Sequence, residues 1–373
     1  MGCFCSHSKV EPNSLIINTL EGHTGGITCI SSCFNLSLIA TGSQDTTIRL
    51  WSYESHRTLG VLHGHKESVS CMTTYRSLLF SGSNDKTIRK WDLSTKTCIM
   101  ILHGHLSRIN RLLLVDDLLF SSSYDKTVRC WHRDSGNNYK IFDGHKRGVY
   151  AILFLMVNVN YWPDEKLKLD PLGSRLLITG SADMTSKLWM LDNGNCVQTF
   201  KGHFGAVTCL SVYQLHLFTG STDCTIRSWS IKNGTAMNIF KGHQGPVLCL
   251  QINSDTIFSG STDHTVRSWS IPTGLCIKVY RDFSHAVSRT EIIDGILYST
   301  CGDGIFRCHD VQSTQLIHRF IGHKSNIIDF QKIEDQLFTI SLDCTMKVWN
   351  LAVASSFKLP LILPHSKTDF IKY

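Results

Sequence analysis

The chain has 373 residues, 42% hydrophobic and 18% charged, with 37 Lys and Arg against 30 Asp and Glu for a net charge of +7. That is ample apolar material for a core, while the modest basic balance contains no Lys/Arg run of the kind that marks a nucleic-acid arm. The longest apolar run, Val149–Val157, is far shorter than the roughly 18 residues that would suggest a membrane-spanning helix, and no secretory h-region opens the chain.

Residues 1–14, MGCFCSHSKVEPNS, form a leader. Gly2 and Ser6 fit the myristoylation pattern, with Cys3 and Cys5 alongside as palmitoylation candidates. This start resembles those of dually acylated Src-family kinases and G-protein subunits, and it implies peripheral attachment to the cytoplasmic face of membranes. The plainer reading is a leader that happens to begin Met-Gly-Cys.

Residues 15–350 carry an internal repeat of about 40 residues. Turn aspartates recur at Asp45, Asp85, Asp125, Asp183, Asp223, Asp263, Asp303 and Asp343. Each has Ser or Thr four residues earlier, and each except Asp303 has Trp six residues later. A Gly-His pair precedes every unit but the seventh, giving His23, His65, His105, His145, His203, His243 and His323. Short runs such as Ile27–Ile30, Leu78–Ser81 and Thr87–Trp91, bounded by Gly, Ser, Asn and Asp, read as strands. One four-stranded sheet of this size cannot bury both faces, so the units must stack, and radial stacking gives a propeller.

The period, with Gly-His at one end and a Trp-Asp position at the other, resembles the WD40 family of β-propellers over residues 15–350. Only Trp91-Asp92 keeps the literal pair. The resemblance implies an all-β, eight-bladed propeller and a buried hydrogen-bonded tetrad in each regular unit. His65, Ser81, Asp85 and Trp91 form one such set, and His203, Thr219, Asp223 and Trp229 another. Ser, His and Asp together also suggest nucleophilic hydrolysis. Seven copies, each with an indole donor, point to structure instead, so no enzyme is expected.

Ile16–Leu20 matches the outer strand of the units but has no inner strands before it. It is expected to complete the last blade and close the ring. The competing segment, Phe357–Leu363, carries Pro360, which a strand tolerates only at an edge. The fourth unit holds about 18 extra residues near 156–173, placed between its first and second strands, with Trp162 as an exposed contact candidate.

In the seventh unit Phe283 and His309 replace His and Trp. Losing both tetrad ends together is expected to leave neither unpaired, with a looser blade, a less costly Asp303 and partial substitution by His285. The basic residue two before each Trp position, such as Arg49 or Lys347, keeps phase with the tetrad and reads as structural. Cysteines in repeat phase (Cys29, Cys71, Cys209 and Cys249; also Cys98, Cys196 and Cys276) read as small core residues. No CxxC pair suggests a metal, and no cofactor is expected. Residues 351–373 form a tail.

On the face bearing the Gly-His loops, Lys66, Glu67, Lys86, Arg108, Tyr124, Lys126, Lys146 and Arg147 gather charge and one aromatic on units two to four. Such a sector suits an acidic or phosphorylated peptide. The reading is therefore a monomeric scaffold for protein or peptide partners, with no nucleic acid and with acyl chains in the membrane. The alternative is a substrate receptor of a ubiquitin ligase. About twenty residues before the first Gly-His leave no room for an F-box, and no Trp-Asp-x-Arg box occurs.

Overall fold

A computed structural model describes residues 16–157 and 174–351. Within them thirty-two strands, β1 to β32 in chain order, form eight four-stranded antiparallel sheets. The only helical element described is a 3-10 turn at Phe34–Leu36. In seven sheets the four strands are consecutive, as in the second blade: Val69–Tyr75, Leu78–Ser83, Ile88–Asp92 and Thr97–Leu102. Blades are buried on both sides, so Trp91 and Leu79 pack with Leu50 and Ala40 of the preceding blade, while Ile88 packs with Ile109 and Leu119 of the next. Each core thus lies between two blades, the apolar glue that radial stacking requires.

The eighth sheet is closed by the first strand. β1 (Ile16–Leu20) runs antiparallel to β32 (Met346–Asn350), Ile16 opposite Trp349 and Leu20 opposite Met346. Lys347 Nζ donates to Thr19 Oγ1 across this seam at 2.9 Å. Phe357–Leu363, the competing segment, lies outside the described residues, as do the leader and the tail beyond Leu351.

Inner strands carry a bulge at their second residue, and polar side chains there bridge blades. Thr28 Oγ1 donates to the Val69 carbonyl, Ser70 Oγ to Ile109 at 2.6 Å, Asn110 Nδ2 to Val149 at 2.6 Å, and Thr208 Oγ1 to Val247 at 2.5 Å. These bonds supplement the apolar contacts at the blade boundaries they cross.

The next inner-strand position shows a reciprocity. Cys29, Cys71, Cys209 and Cys249 lie opposite Gly42, Gly82, Gly220 and Gly260. Each Sγ stands 2.5–2.9 Å from where that glycine would carry a Cβ. Where the partner is Ser122, Thr300 or Ile340, that space is taken, and the inner residue is Arg111, Arg289 or Asp329. The cysteine expectation needs one correction: Cys196 and Cys276 are exposed, because the outer strand that carries them is the free edge of its sheet.

Candidate interaction face

Each regular tetrad is a directed chain of hydrogen bonds. In the second blade Trp91 Nε1–H donates to Ser81 Oγ at 2.8 Å, and Ser81 donates to His65 Nε2 at 2.7 Å. His65 Nδ1–H then donates to Asp85 Oδ2 at 2.8 Å. In the fifth blade Trp229, Thr219, His203 and Asp223 repeat the chain at 2.9, 2.7 and 2.7 Å. Five further blades do the same. The hydroxyls of Ser81 and Thr219 are fully buried, which suits a structural relay that satisfies buried polar groups.

Asp85 also accepts the amide of Lys66 at 3.0 Å, the amide of Thr87 at 2.9 Å and its hydroxyl at 2.6 Å. Burial works against its charge, but these donors and His65 together hold the carboxyl far below the usual range. The consequence for the surface is geometric. One carboxylate fixes the residue after Gly-His and the turn, so side chains there project from an immobilised backbone. Gly64 has φ 157, and a Cβ on it would meet Arg89 Nη1 at 2.6 Å, so only glycine fits. Arg89, Arg129, Lys187 and Arg267 lie over the tetrad indoles at 5.8–6.0 Å, in keeping with a structural role.

The seventh blade departs from expectation. His285 is exposed and does not reach Asp303; its Nδ1 lies 3.4 Å from Ser284 Oγ. Arg307 takes the vacant role, donating from Nη1 and Nη2 to Asp303 at 3.0 and 2.7 Å with both side chains buried. Phe283 packs beneath that guanidinium at 5.1 Å. His309 is fully buried, with its Nε2 3.4 Å from Asp282 and its Nδ1 unpartnered among the described residues. Arginine is long enough to replace histidine at Asp303, whereas the smaller imidazole at the Trp position cannot reach Ser299.

All eight sector residues on this face, from Lys66 and Glu67 through Lys86, Arg108, Tyr124, Lys126 and Lys146 to Arg147, are exposed. Arg108 stacks on Tyr124 at 4.8 Å. The Tyr124 ring lies 2.8 Å from the site of a Gly148 Cβ, so it spans the boundary to the loop carrying Lys146 and Arg147. Two residues missed in the sequence stand out: Leu106 is 79% exposed and Phe204 84%. Their amides donate to Asp125 and Asp223 at 2.9 Å, which turns both side chains to solvent. Their signal was legible, since the position after Gly-His otherwise holds Thr, Lys or Gln. Val157 pairs with Ser174 at the strand ends far from Gly-His, and Trp162 lies outside the described residues. So do Gly2, Cys3 and Cys5. Among the described residues no cluster of three potential metal ligands occurs, and no helix is long and apolar enough to cross a membrane.

Comparison with known proteins agrees with this architecture. The family model of the WD domain, G-beta repeat, matches residues 15–52, 56–92, 96–132, 194–230 and 234–270. The human WD repeat-containing protein 86 is 57% identical over 35 residues, 9% of each chain. Mitochondrial division protein 1 of Aspergillus oryzae is 35% identical over 66 residues, 18% of this chain and 10% of that one. The matched segments span at most a tenth of these curated relatives. The crystal structure of the computationally designed Ika8 protein superposes with TM-score 0.79 at 27% identity, covering 90% of this chain and 99% of that one. Saccharomyces cerevisiae Sqt1 shares the fold, with TM-score 0.79 at 15% identity over 90% of this chain and 98% of that one. By its repeats, its tetrads and its eight blades, the chain belongs to the WD40-repeat family of β-propellers.

Proposed function

We propose that the protein is a non-enzymatic interaction scaffold whose Gly-His face takes a protein segment bearing acidic or phosphorylated side chains beside an apolar one. The observation that carries this reading is the pairing of exposed apolar groups, Leu106 and Tyr124, with the cations Arg108, Lys126, Lys146 and Arg147 on immobilised loops. Rigid aromatic and arginine anchors lose little entropy on binding. Hydrolysis is disfavoured because the tetrad hydroxyls are buried and already engaged with an indole.

The N-terminal pattern supports a second part of the proposal, peripheral attachment to the cytoplasmic face of membranes. A single myristate on Gly2 binds only marginally, so palmitate on Cys3 or Cys5 would supply the second anchor. Proximity labelling of the full chain, with Leu106→Ser/Tyr124→Ser and Gly2→Ala as separate variants, tests the two parts independently. The first variant should lose partners at unchanged location, and the second should move to the soluble fraction. Recovery of cullin subunits by the wild type would favour the ubiquitin-ligase receptor. Unchanged partners in the face variant would refute the proposed binding face.

A further inference from the structure

At the strand ends far from Gly-His, a groove recurs between neighbouring blades, and at two boundaries the chain fills it with its own ammonium group. Lys90, the third residue of Ile88–Asp92, is 5% exposed. Its Nζ donates to the carbonyls of Arg133 at 2.9 Å and Asp134 at 3.4 Å in the next blade. Lys278, the third residue of the outer strand Cys276–Tyr280, donates likewise to Val311 at 3.0 Å and to Gln312. Arg133 and Val311 are equivalent positions. Each follows a third strand, and its amide donates to a hairpin carbonyl of its own blade, Asp117 or Gly295.

The boundary between blades five and six presents the same backbone without the cation. Ile271, whose amide donates to the Asp255 carbonyl at 2.9 Å, and Pro272 take the places of Arg133 and Asp134. The places of Lys90 and Lys278 fall to Ser228 and Asn238, both short. Asn238 Nδ2 reaches the Ile271 carbonyl only at 3.4 Å. The turn glycines measure the space left. A Cβ would collide with Met100 at Gly136, with Lys140 at Gly194 and with Gln198 at Gly234, whereas at Gly274 the nearest atom, of Asn238, is 3.8 Å away.

The result is a cavity of about 230 Å³ with Tyr213, Met237, Asp255 and Pro272 in its walls and no Lys or Arg among its lining residues. The Asp255 carboxylate accepts the Tyr213 hydroxyl at 3.1 Å and forms no ion pair among the described residues. Met237 is half exposed, so the groove has an apolar side as well as a charged one.

We propose that this groove binds a lysine side chain of a partner protein, its ammonium group placed against the Ile271 carbonyl and Asp255, and its stem along Met237 and Pro272. Charge-assisted bonds to carbonyl and carboxylate oxygens suit an ammonium with three donors, and lysine lays its methylenes on apolar surface while its head stays polar. Lys90 and Lys278 show within the same fold that the groove accepts that group. The surface is separate from the Gly-His face and calls for a partner of opposite charge.

Fluorescence anisotropy of the full chain with two short peptide libraries tests the groove, one with a fixed lysine and one with norleucine there, which keeps the stem and lacks the ammonium. Wild type should bind the lysine library about fivefold or more tightly. Ser228→Lys, which supplies the occupant from within as Lys90 does, and Asp255→Asn, at an exposed position, should each abolish that preference. Leu106→Ser/Tyr124→Ser should keep it. Equal binding of the two libraries by wild type, a preference that survives in Asp255→Asn, or one lost in the Gly-His face variant overturns the proposal. So does displacement of the lysine peptides by an equal concentration of free cadaverine, which would assign the groove to a small amine. Asp255→Asn keeps the test decisive should Ser228→Lys fail to fold.

Discussion

Arg307 grips Asp303 through two buried hydrogen bonds, in the one blade that lacks the histidine of the other seven. Repeat proteins keep their geometry by satisfying each buried carboxylate, and here a guanidinium from a neighbouring strand does so in place of an imidazole. Asp303→Ala would strand a buried guanidinium, at a cost of about 3–5 kcal/mol. Asp223→Ala leaves His203 and a few amides without their acceptor, at about 1–3 kcal/mol. Urea midpoints should therefore place Asp303→Ala below Asp223→Ala, the reverse of the order expected from the degenerate sequence of the seventh unit. An equal or smaller loss for Asp303→Ala would show that the ion pair contributes little.

Ring closure makes a separate prediction. Removing residues 1–20 deletes β1 and exposes the edge of β32, whereas removing 1–12 leaves the strand whole. The longer truncation should melt well below the shorter one and aggregate more readily through its bare edge. Coincident melting curves would mean that β1 is dispensable.

The glycine–cysteine reciprocity predicts a coupling. Gly220→Ala sets a methyl 2.5 Å from Cys209 Sγ, an overpacking worth about 1–3 kcal/mol. Adding Cys209→Ala should recover part of that loss, with Val247 at 2.9 Å limiting the rescue. Strict additivity in the double-mutant cycle would contradict the tucked thiol.

Acid should unfold the ring in a defined window. Burial disfavours the Asp45 charge, but Thr47, His23 and Thr24 donate to it and hold its carboxyl at about 2. A depressed carboxylate stabilises the fold above its unfolded value near 3.9, and that contribution is lost as pH falls through the folded value. The seven other turn aspartates lie lower still. Melting temperature should fall most steeply between about pH 4 and pH 2. In Asp45→Asn that fall should be shallower; a wild-type transition centred near pH 6 would place the cause elsewhere.

Period and phase carried the architecture: His, Ser or Thr, Asp and Trp at fixed offsets specify where strands, turns and buried bonds lie, and β1 was legible as an unpartnered outer strand. The seventh blade was misjudged because periodicity records what Asp303 loses at Phe283 and is blind to Arg307 changing partners. Leu106 and Phe204 broke the polar habit of their position, yet only the anchored amides show that they face solvent.

The interaction face is tested most directly by binding of the purified chain to an array of acidic and phosphorylated peptides, with and without a neighbouring apolar residue. Wild type should favour anionic peptides that also carry the apolar residue, and Leu106→Ser/Lys126→Glu/Lys146→Glu should lose about tenfold or more in that signal, at unchanged melting temperature. Lys201→Glu, at the exposed end of an outer strand, should bind as wild type does. Equal binding by the charge-reversed chain, or no preference over basic control peptides, would contradict the assignment of this face.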